Sequence, residues 1–253
     1  MDQRYSLAGK HILVTGASSG IGRAVALRLD ALGARVTLLA RSEERLKETL
    51  ACMQGGEHAF FCYDLSDVEG IEALIKEIVA ARGKLDGMMY CAGDCLRAPL
   101  AVCKPAAVRE SMQINYFAFV EMLRCVSKSK SCNSGASFVA MSSDSSMKGE
   151  KCLLTLSAGK AAMNSAVRCA AKELAPKKIR VNAIVTAFIG GTRMIGTTLE
   201  NFGEEHVHSF FAENQPLGEG KPEYIADAAA FLLSDAAQFI TGAIMVVDGG
   251  YLA

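Results

Sequence analysis

A β-like run, His11-Ile12-Leu13-Val14-Thr15, feeds directly into Gly16-Ala17-Ser18-Ser19-Gly20-Ile21-Gly22 and then into a helical pattern. Glycines let a backbone turn tightly and approach a pyrophosphate, whose charge suits the N-terminus of the following helix. A glycine triplet alone is weak; a strand before it and a helix after it supply the context a dinucleotide site needs. Gly16, Ser18, Ser19, Gly20, Ile21 and Gly22 are therefore candidate cofactor-binding residues. The end of the second strand should meet the adenosine ribose, where an NAD site often places an acidic residue. This chain has Leu39-Ala40-Arg41-Ser42 there. Arg41 can bond a 2′-phosphate bidentately, whereas a carboxylate would repel one. The helix dipole disfavours an idle cation at a helix start, which weighs against Arg41 being only a solvated charge. The sequence predicts NADP(H) in preference to NAD(H).

The elements that must hold these residues alternate along the whole chain. Strands are predicted at 11–15, 35–40, 58–63, 87–91, 137–141, 179–185 and 243–247. Helices are predicted at 21–32, 42–53, 67–82, 105–128, 155–174 and 222–234. Ile71, Leu74, Ile75 and Ile78 have helical spacing. Seven strands alternating with helices imply an α/β, doubly wound parallel sheet with helices on both faces. No linker, repeat or low-complexity segment interrupts the pattern, so 1–253 reads as a single domain. The Ser-rich stretch 127–136 reads as a surface loop.

Composition agrees. The chain has 253 residues, 27 basic and 27 acidic, and is 51% hydrophobic. One substantial core is possible at this length. The balanced charge gives no basic stripe for nucleic acid and no polybasic membrane patch. The longest charge-free apolar stretch near the end, between Arg180 and Arg193, is shorter than the ~20 residues a span needs. Met1-Asp2-Gln3-Arg4 lacks an apolar signal region. Nine cysteines, an odd number without a CxxC pair, argue for packed thiols rather than a disulfide framework. Histidine is scarce, and no metal site is expected. A cytoplasmic protein is expected.

The spacing Thr15-Gly16-xxx-Gly20-x-Gly22 resembles the short-chain dehydrogenase/reductase family, in particular its 3-oxoacyl-carrier-protein reductase-like members. The likeness runs through nearly the whole chain and implies a Rossmann sheet with hydride transfer between a nicotinamide and a carbonyl, alcohol or imine. Asp64-Leu65 matches the family's adenine contact, and Cys91-Ala92-Gly93 occupies its Asn-Ala-Gly motif. Asn115 matches the asparagine of its proton relay, Ser143 the serine that holds the substrate oxygen, and Lys160 the lysine that binds the nicotinamide ribose. Phe188-Ile189 and Thr192 match positions that contact the nicotinamide amide. Val181-Asn182-Ala183-Ile184 and the ending Asp248-Gly249-Gly250 also fit. The resemblance further implies a substrate lid at about 190–215, with Met194, Ile195, Leu199, Phe202, Phe210 and Phe211 beside Glu204, Glu205, His206 and His208. It also implies a homo-oligomer, tetramer or dimer, built on the helices at 105–128 and 155–174.

The chain departs from the family where the chemistry is done. The family's acid/base is a tyrosine four residues before the lysine, and here that position is Leu156. The Ser143–Leu156 interval equals the family's serine–tyrosine interval, and no tyrosine lies between Tyr116 and Tyr224. Cys91 replaces the motif's asparagine, and Thr186-Ala187 replaces the usual Pro-Gly. Leucine cannot donate a proton. Three readings stay open: an active oxidoreductase with atypical proton delivery, a cofactor-binding pseudoenzyme serving as sensor or hetero-oligomer subunit, and an inactivated variant of an ordinary reductase. Cys95, Cys152 and Asp94 are candidate replacement acids by proximity in sequence. The joint retention of Ser143, Lys160 and Asn115 favours the first reading, with a small-molecule substrate.

Overall fold

The computed structural model describes residues 3–192, 209 and 213–253. Seven strands form one sheet: β1 His11–Thr15, β2 Arg35–Ala40, β3 Ala59–Cys62, β4 Leu85–Tyr90, β5 Cys132–Met141, β6 Arg180–Val185 and β7 Ile244–Val246. Their order is β3-β2-β1-β4-β5-β6-β7, and every pairing is parallel. Lying wholly among the described residues are the α-helices α1 Gly20–Ala31, α2 Glu43–Ala51, α3 Ile71–Arg82, α4 Pro105–Met112, α5 Ala118–Val126, α6 Leu154–Leu174 and α7 Pro222–Leu233.

Strands β1 and β6 are buried at every position, as a parallel sheet covered on both faces requires. Alternation within β1 sorts its side chains between two cores. Leu13 packs with Ile75 of α3, Phe119 of α5 and Met163 of α6. Ile12 and Val14 pack with Val25 and Leu29 of α1 and with Ile225 and Leu232 of α7. The strand order reverses at β1, which pairs with β2 on one side and β4 on the other. Ligands of open α/β sheets bind outside the carboxyl ends of the strands at such a point. Here those ends carry Gly16 and the Cys91-Ala92-Gly93 turn.

Two elements differ from the pattern read in the sequence. The helix expected over 105–128 is broken by a π-helical segment, Gln113–Phe117, between α4 and α5. Asn115 sits inside this wide turn, and its amide donates to the Ser111 carbonyl oxygen (3.0 Å) and to the Asp94 carbonyl oxygen (2.9 Å). Serving both carbonyls from one side chain is the local reason for the altered winding. Strand β5 begins at Cys132, inside the stretch expected to be loop. Cys132 is buried and pairs with Leu85 across a register shift, and the exposed Asn133 amide bonds Asp86 (2.7 Å). An irregular stretch of strand with a shifted register, rather than a loop, accommodates the polar residues.

No helix among the described residues is long and apolar enough to cross a membrane. Most of the lid expected at about 190–215, namely 193–208 and 210–212, lies outside the described residues.

Candidate active site

Gly16 sits at φ +66°, in the left-handed region, and a methyl group there would lie 3.1 Å from the Cys91 and Ala92 backbone. At Gly22 a methyl would lie 2.3 Å from the Gly16 carbonyl oxygen. The loop is folded back so closely on α1 that no side chain fits between them. Ser19 is the N-cap of α1 but makes no side-chain cap bond, so the helix presents its first N–H groups to whatever occupies the cradle. Ser18 and Ile21 flank this turn. Thr15 Oγ1, at the end of β1, accepts from the backbone N–H of Cys91 (3.0 Å) and Ala92 (3.1 Å). That hydroxyl ties the two strand ends across the switch point. Thr192 closes the other side: its Cγ2 would lie 3.4 Å from a methyl at Gly20, and its hydroxyl donates to the Ile189 carbonyl oxygen (2.8 Å). Ile189 is buried and bridges Gly220.

At the end of β2, Arg41 is exposed and lies 3.7 Å from the Asp64 carboxylate. Burial pushes Asp64 upward, but two bonds from Ser66 and the nearby Arg41 outweigh it and leave the carboxyl below its usual range. Leu65 beside it is buried. Arg41 and Asp64 thus form one charged edge of the crevice, with the guanidinium facing water.

On the opposite side of the glycine loop the remaining residues converge. Lys160 is buried on α6, and its Nζ donates to the Met141 carbonyl oxygen at the end of β5 (2.8 Å). Burial brings its ammonium down to about 8, with Cys91 acting weakly against the shift. Burial also pushes the Cys91 thiol up to about 12, against the pull of Lys160. The Cys91-Ala92-Gly93 turn lies over this lysine: a methyl at Gly93 would be 3.3 Å from Lys160 Nζ and 3.1 Å from Asn115 Oδ1. Gly159 allows α6 to press against Asn115, since a methyl there would lie 2.9 Å from Asn115 Cβ. The structure therefore brings Asn115, Lys160, Cys91 and Gly93 together around one point.

Leu156 stands one turn before Lys160 on the same buried face of α6 and is 2% exposed. Ser143 follows β5 and caps the short turn Asp144–Ser146. Its hydroxyl donates to Asp144 Oδ1 (2.8 Å) and accepts from Ser145 Oγ (3.0 Å) and Ser145 N (3.3 Å). Thr186, after β6, accepts the Asp144 N–H on its carbonyl oxygen (2.9 Å), while its own buried hydroxyl has no partner among the described residues. Phe188 stacks edge-on against Tyr251 at 5.1 Å.

Asp144 is the functional candidate that motif matching passes over. It is buried, and burial raises its carboxyl above the usual range despite bonds from Ser143 and Ser145. Its adjacency to Ser143 was the available signal. The three acids suggested by sequence proximity fare differently. Asp94 and Cys152 are exposed, and burial raises the Cys95 thiol, making it a weaker acid than a free thiol. An open groove of about 750 Å³ runs beside the Ser145–Cys152 loop, lined in part by Pro99, Leu100, Met147 and Leu154.

Comparisons with known proteins match this fold and family. A family model described as enoyl-(acyl carrier protein) reductase matches residues 16–252. L-xylulose reductase of Mus musculus is 31% identical over 249 residues, covering 98% of each chain. The crystal structure of a candidate short-chain alcohol dehydrogenase from Sinorhizobium meliloti 1021 superposes with a TM-score of 0.91 at 30% identity, covering 98% of each chain. A candidate NAD(P)-dependent gluconate 5-dehydrogenase from Beutenbergia cavernae, with NADP bound at low occupancy, superposes with a TM-score of 0.90 at 30% identity. It covers 98% of this chain and 99% of that one.

Proposed function

Because this chain belongs to the short-chain dehydrogenase/reductase family of oxidoreductases, we propose that it is an NADP(H)-dependent reductase of a small carbonyl or imine compound, with an atypical route for the proton. The observation that carries this reading is the convergence of Asn115, Lys160 and Gly93 beside the Gly16–Gly22 cradle. Burying an ammonium is costly, so a lysine placed at this point suits a bound ligand rather than packing alone.

The residues fit a dinucleotide. Gly16 and Gly22 leave space that side chains would fill, and the N-terminus of α1 faces it. Asp64 and Leu65 would hold the adenine, and Arg41 the 2′-phosphate. Cys91, Ala92, Gly93 and Lys160 would hold the nicotinamide ribose. Ile189 and Thr192 would hold the carboxamide, and the Thr186 hydroxyl, without a partner among the described residues, offers a further polar contact there. When bound, the reduced nicotinamide supplies a hydride. Ser143 holds the substrate oxygen, and Lys160 places positive charge near the ribose. Leu156 takes no part in proton transfer. The NADP-bound structural relative supports the cofactor class. The exposed Phe117, Val120 and Leu154 suit burial in a homo-oligomer, and nine free cysteines suit a reducing compartment such as the cytoplasm.

One observation favours a second reading, a cofactor-binding pseudoenzyme. Leu156 is built into the core, and Lys160 bonds a backbone carbonyl rather than a phenol. Titrating NADPH and NADH by fluorescence, then assaying ketones and ketoses with Leu156→Tyr alongside, separates the two. Turnover by the unmodified chain is expected. NADPH binding without turnover, gained only on Leu156→Tyr, would establish the pseudoenzyme.

A further inference from the structure

We propose that Asp144 stores the proton that a phenol at position 156 would have supplied, and that Ser143 passes it to the substrate oxygen. The inference rests on the reductase reading above. A hydroxyl has one hydrogen to give and two positions at which to accept. The Ser143 hydrogen is committed to Asp144 Oδ1 at 2.8 Å, and both acceptor positions face Ser145. With Asp144 ionised, Ser143 has no hydrogen left for a carbonyl. With Asp144 protonated, the bond reverses: the carboxyl O–H donates to Ser143 Oγ, displacing the rotatable Ser145 hydroxyl, and the serine hydrogen turns to the substrate.

The backbone fixes this pair. Asp144 N donates to the Thr186 carbonyl oxygen, and the Asp144 carbonyl oxygen accepts from Met147 N (2.8 Å) and Lys148 N (3.1 Å). The Asp144 main chain is therefore pinned between the end of β6 and the turn after Ser143, and its carboxyl is held by the bond from Ser143. Charged groups facing it come from the loop before α6. Glu150 favours its protonated form and Lys148 its ionised form. Lys148 is already engaged by Glu150 (3.2 Å) and by the Tyr251 ring, 3.6 Å from its centroid. The Tyr251 hydroxyl in turn donates to Glu150 (2.8 Å). Burial remains the largest influence and keeps Asp144 a weaker acid than an exposed aspartate.

The step balances. The substrate carbon takes its hydrogen and electron pair from the reduced dinucleotide. The substrate oxygen takes a proton from Ser143 Oγ, which regains one from Asp144. Asp144 is left as a carboxylate and recovers its proton from water. Oxidation of an alcohol runs the same path backwards, with the carboxylate as base.

The test uses the full chain and the near-isosteric Asp144→Asn. The expected result is a fall in kcat for carbonyl reduction of about 100-fold, loss of the acid-side step in the pH profile, and an unchanged NADPH Kd. In Leu156→Tyr the same substitution should cost less than about tenfold, because the phenol then donates. A readout without cofactor keeps the test independent of turnover. The unmodified protein should show a protonated-carboxyl infrared band that titrates above the ordinary aspartate range, shifts in Ser143→Ala and is missing in Asp144→Asn. Turnover that Asp144→Asn leaves intact, or absence of that band, overturns the relay alone. An unmodified chain that binds NADPH and reduces no carbonyl overturns the reductase reading and the relay with it.

Discussion

Leu156 lies one helical turn ahead of Lys160, on the same buried face of α6, and the lysine it precedes is bonded to the Met141 carbonyl oxygen instead of to any side chain among the described residues. A phenol at 156 would therefore enter a nearly closed slot beside an ammonium already brought down to about 8. Leu156→Tyr is expected to raise kcat for carbonyl reduction roughly tenfold to a hundredfold, since a positioned acid is added beside the existing route. Overpacking should cost about 1–3 kcal/mol of stability. NADPH oxidation and thermal unfolding measure the two effects. An intact fold with no gain in rate would show that the lysine is not placed to serve a phenol.

Lys160 also carries a stability prediction whose sign is fixed. Its ammonium titrates near 8 in the folded chain and near 10.5 when unfolded. The unfolded chain therefore binds more protons between those values, and the contribution to stability rises with pH through that window. Below about 8 the folded protein bears the full cost of the buried charge, on the order of 3 kcal/mol. Lys160→Met removes that charge. Relative to Lys160→Met, the unmodified protein should gain stability as pH rises from 7.5 toward 10.5, reading roughly these limits from the two titration values. Urea unfolding of both proteins across the range decides it, and a constant difference would refute the shift.

Gly22 tests the cradle without removing any polar side chain. A methyl at this position would lie 2.3 Å from the Gly16 carbonyl oxygen, a contact relieved only by moving the loop off α1. Gly22→Ala should destabilise the fold by about 1–3 kcal/mol and weaken both NADPH and NADH. Equal binding of either nucleotide by the variant, measured by fluorescence titration, would mean the loop does not hold the pyrophosphate.

The sheet was legible because its signals are local and repeated. Apolar runs such as 12–14 and helical spacing such as Ile71, Leu74, Ile75 and Ile78 each report one element. The break at Gln113–Phe117 was not legible, because it depends on Asn115 reaching Asp94 in a different loop. Cys132–Ala136 read as loop because its polar residues hide an irregular strand whose partner, Leu85, is distant in sequence. Spacing singled out Ser143, Lys160 and Asn115 as candidates but passed over Asp144. A carboxylate next to a serine becomes a candidate acid only when burial and the 2.8 Å bond are known.

Arg41 is the residue whose exposure matters most for cofactor choice. Its guanidinium lies 3.7 Å from Asp64 and is otherwise open to water. Such an exposed pair contributes little to stability, so the guanidinium can turn to a 2′-phosphate at small cost. Arg41→Ala should leave the melting temperature nearly unchanged. A charge-assisted contact to phosphate contributes about 1.5–3 kcal/mol, so NADPH should bind roughly 10- to 100-fold more weakly to the variant while NADH is nearly unaffected. The loss on NADPH should shrink as salt is raised, because an exposed charge pair is screened. Fluorescence titration with both nucleotides at two ionic strengths measures all three effects. Equal loss of both nucleotides, or no salt dependence, would remove Arg41 from the 2′-phosphate site and leave the preference for NADP(H) without its residue.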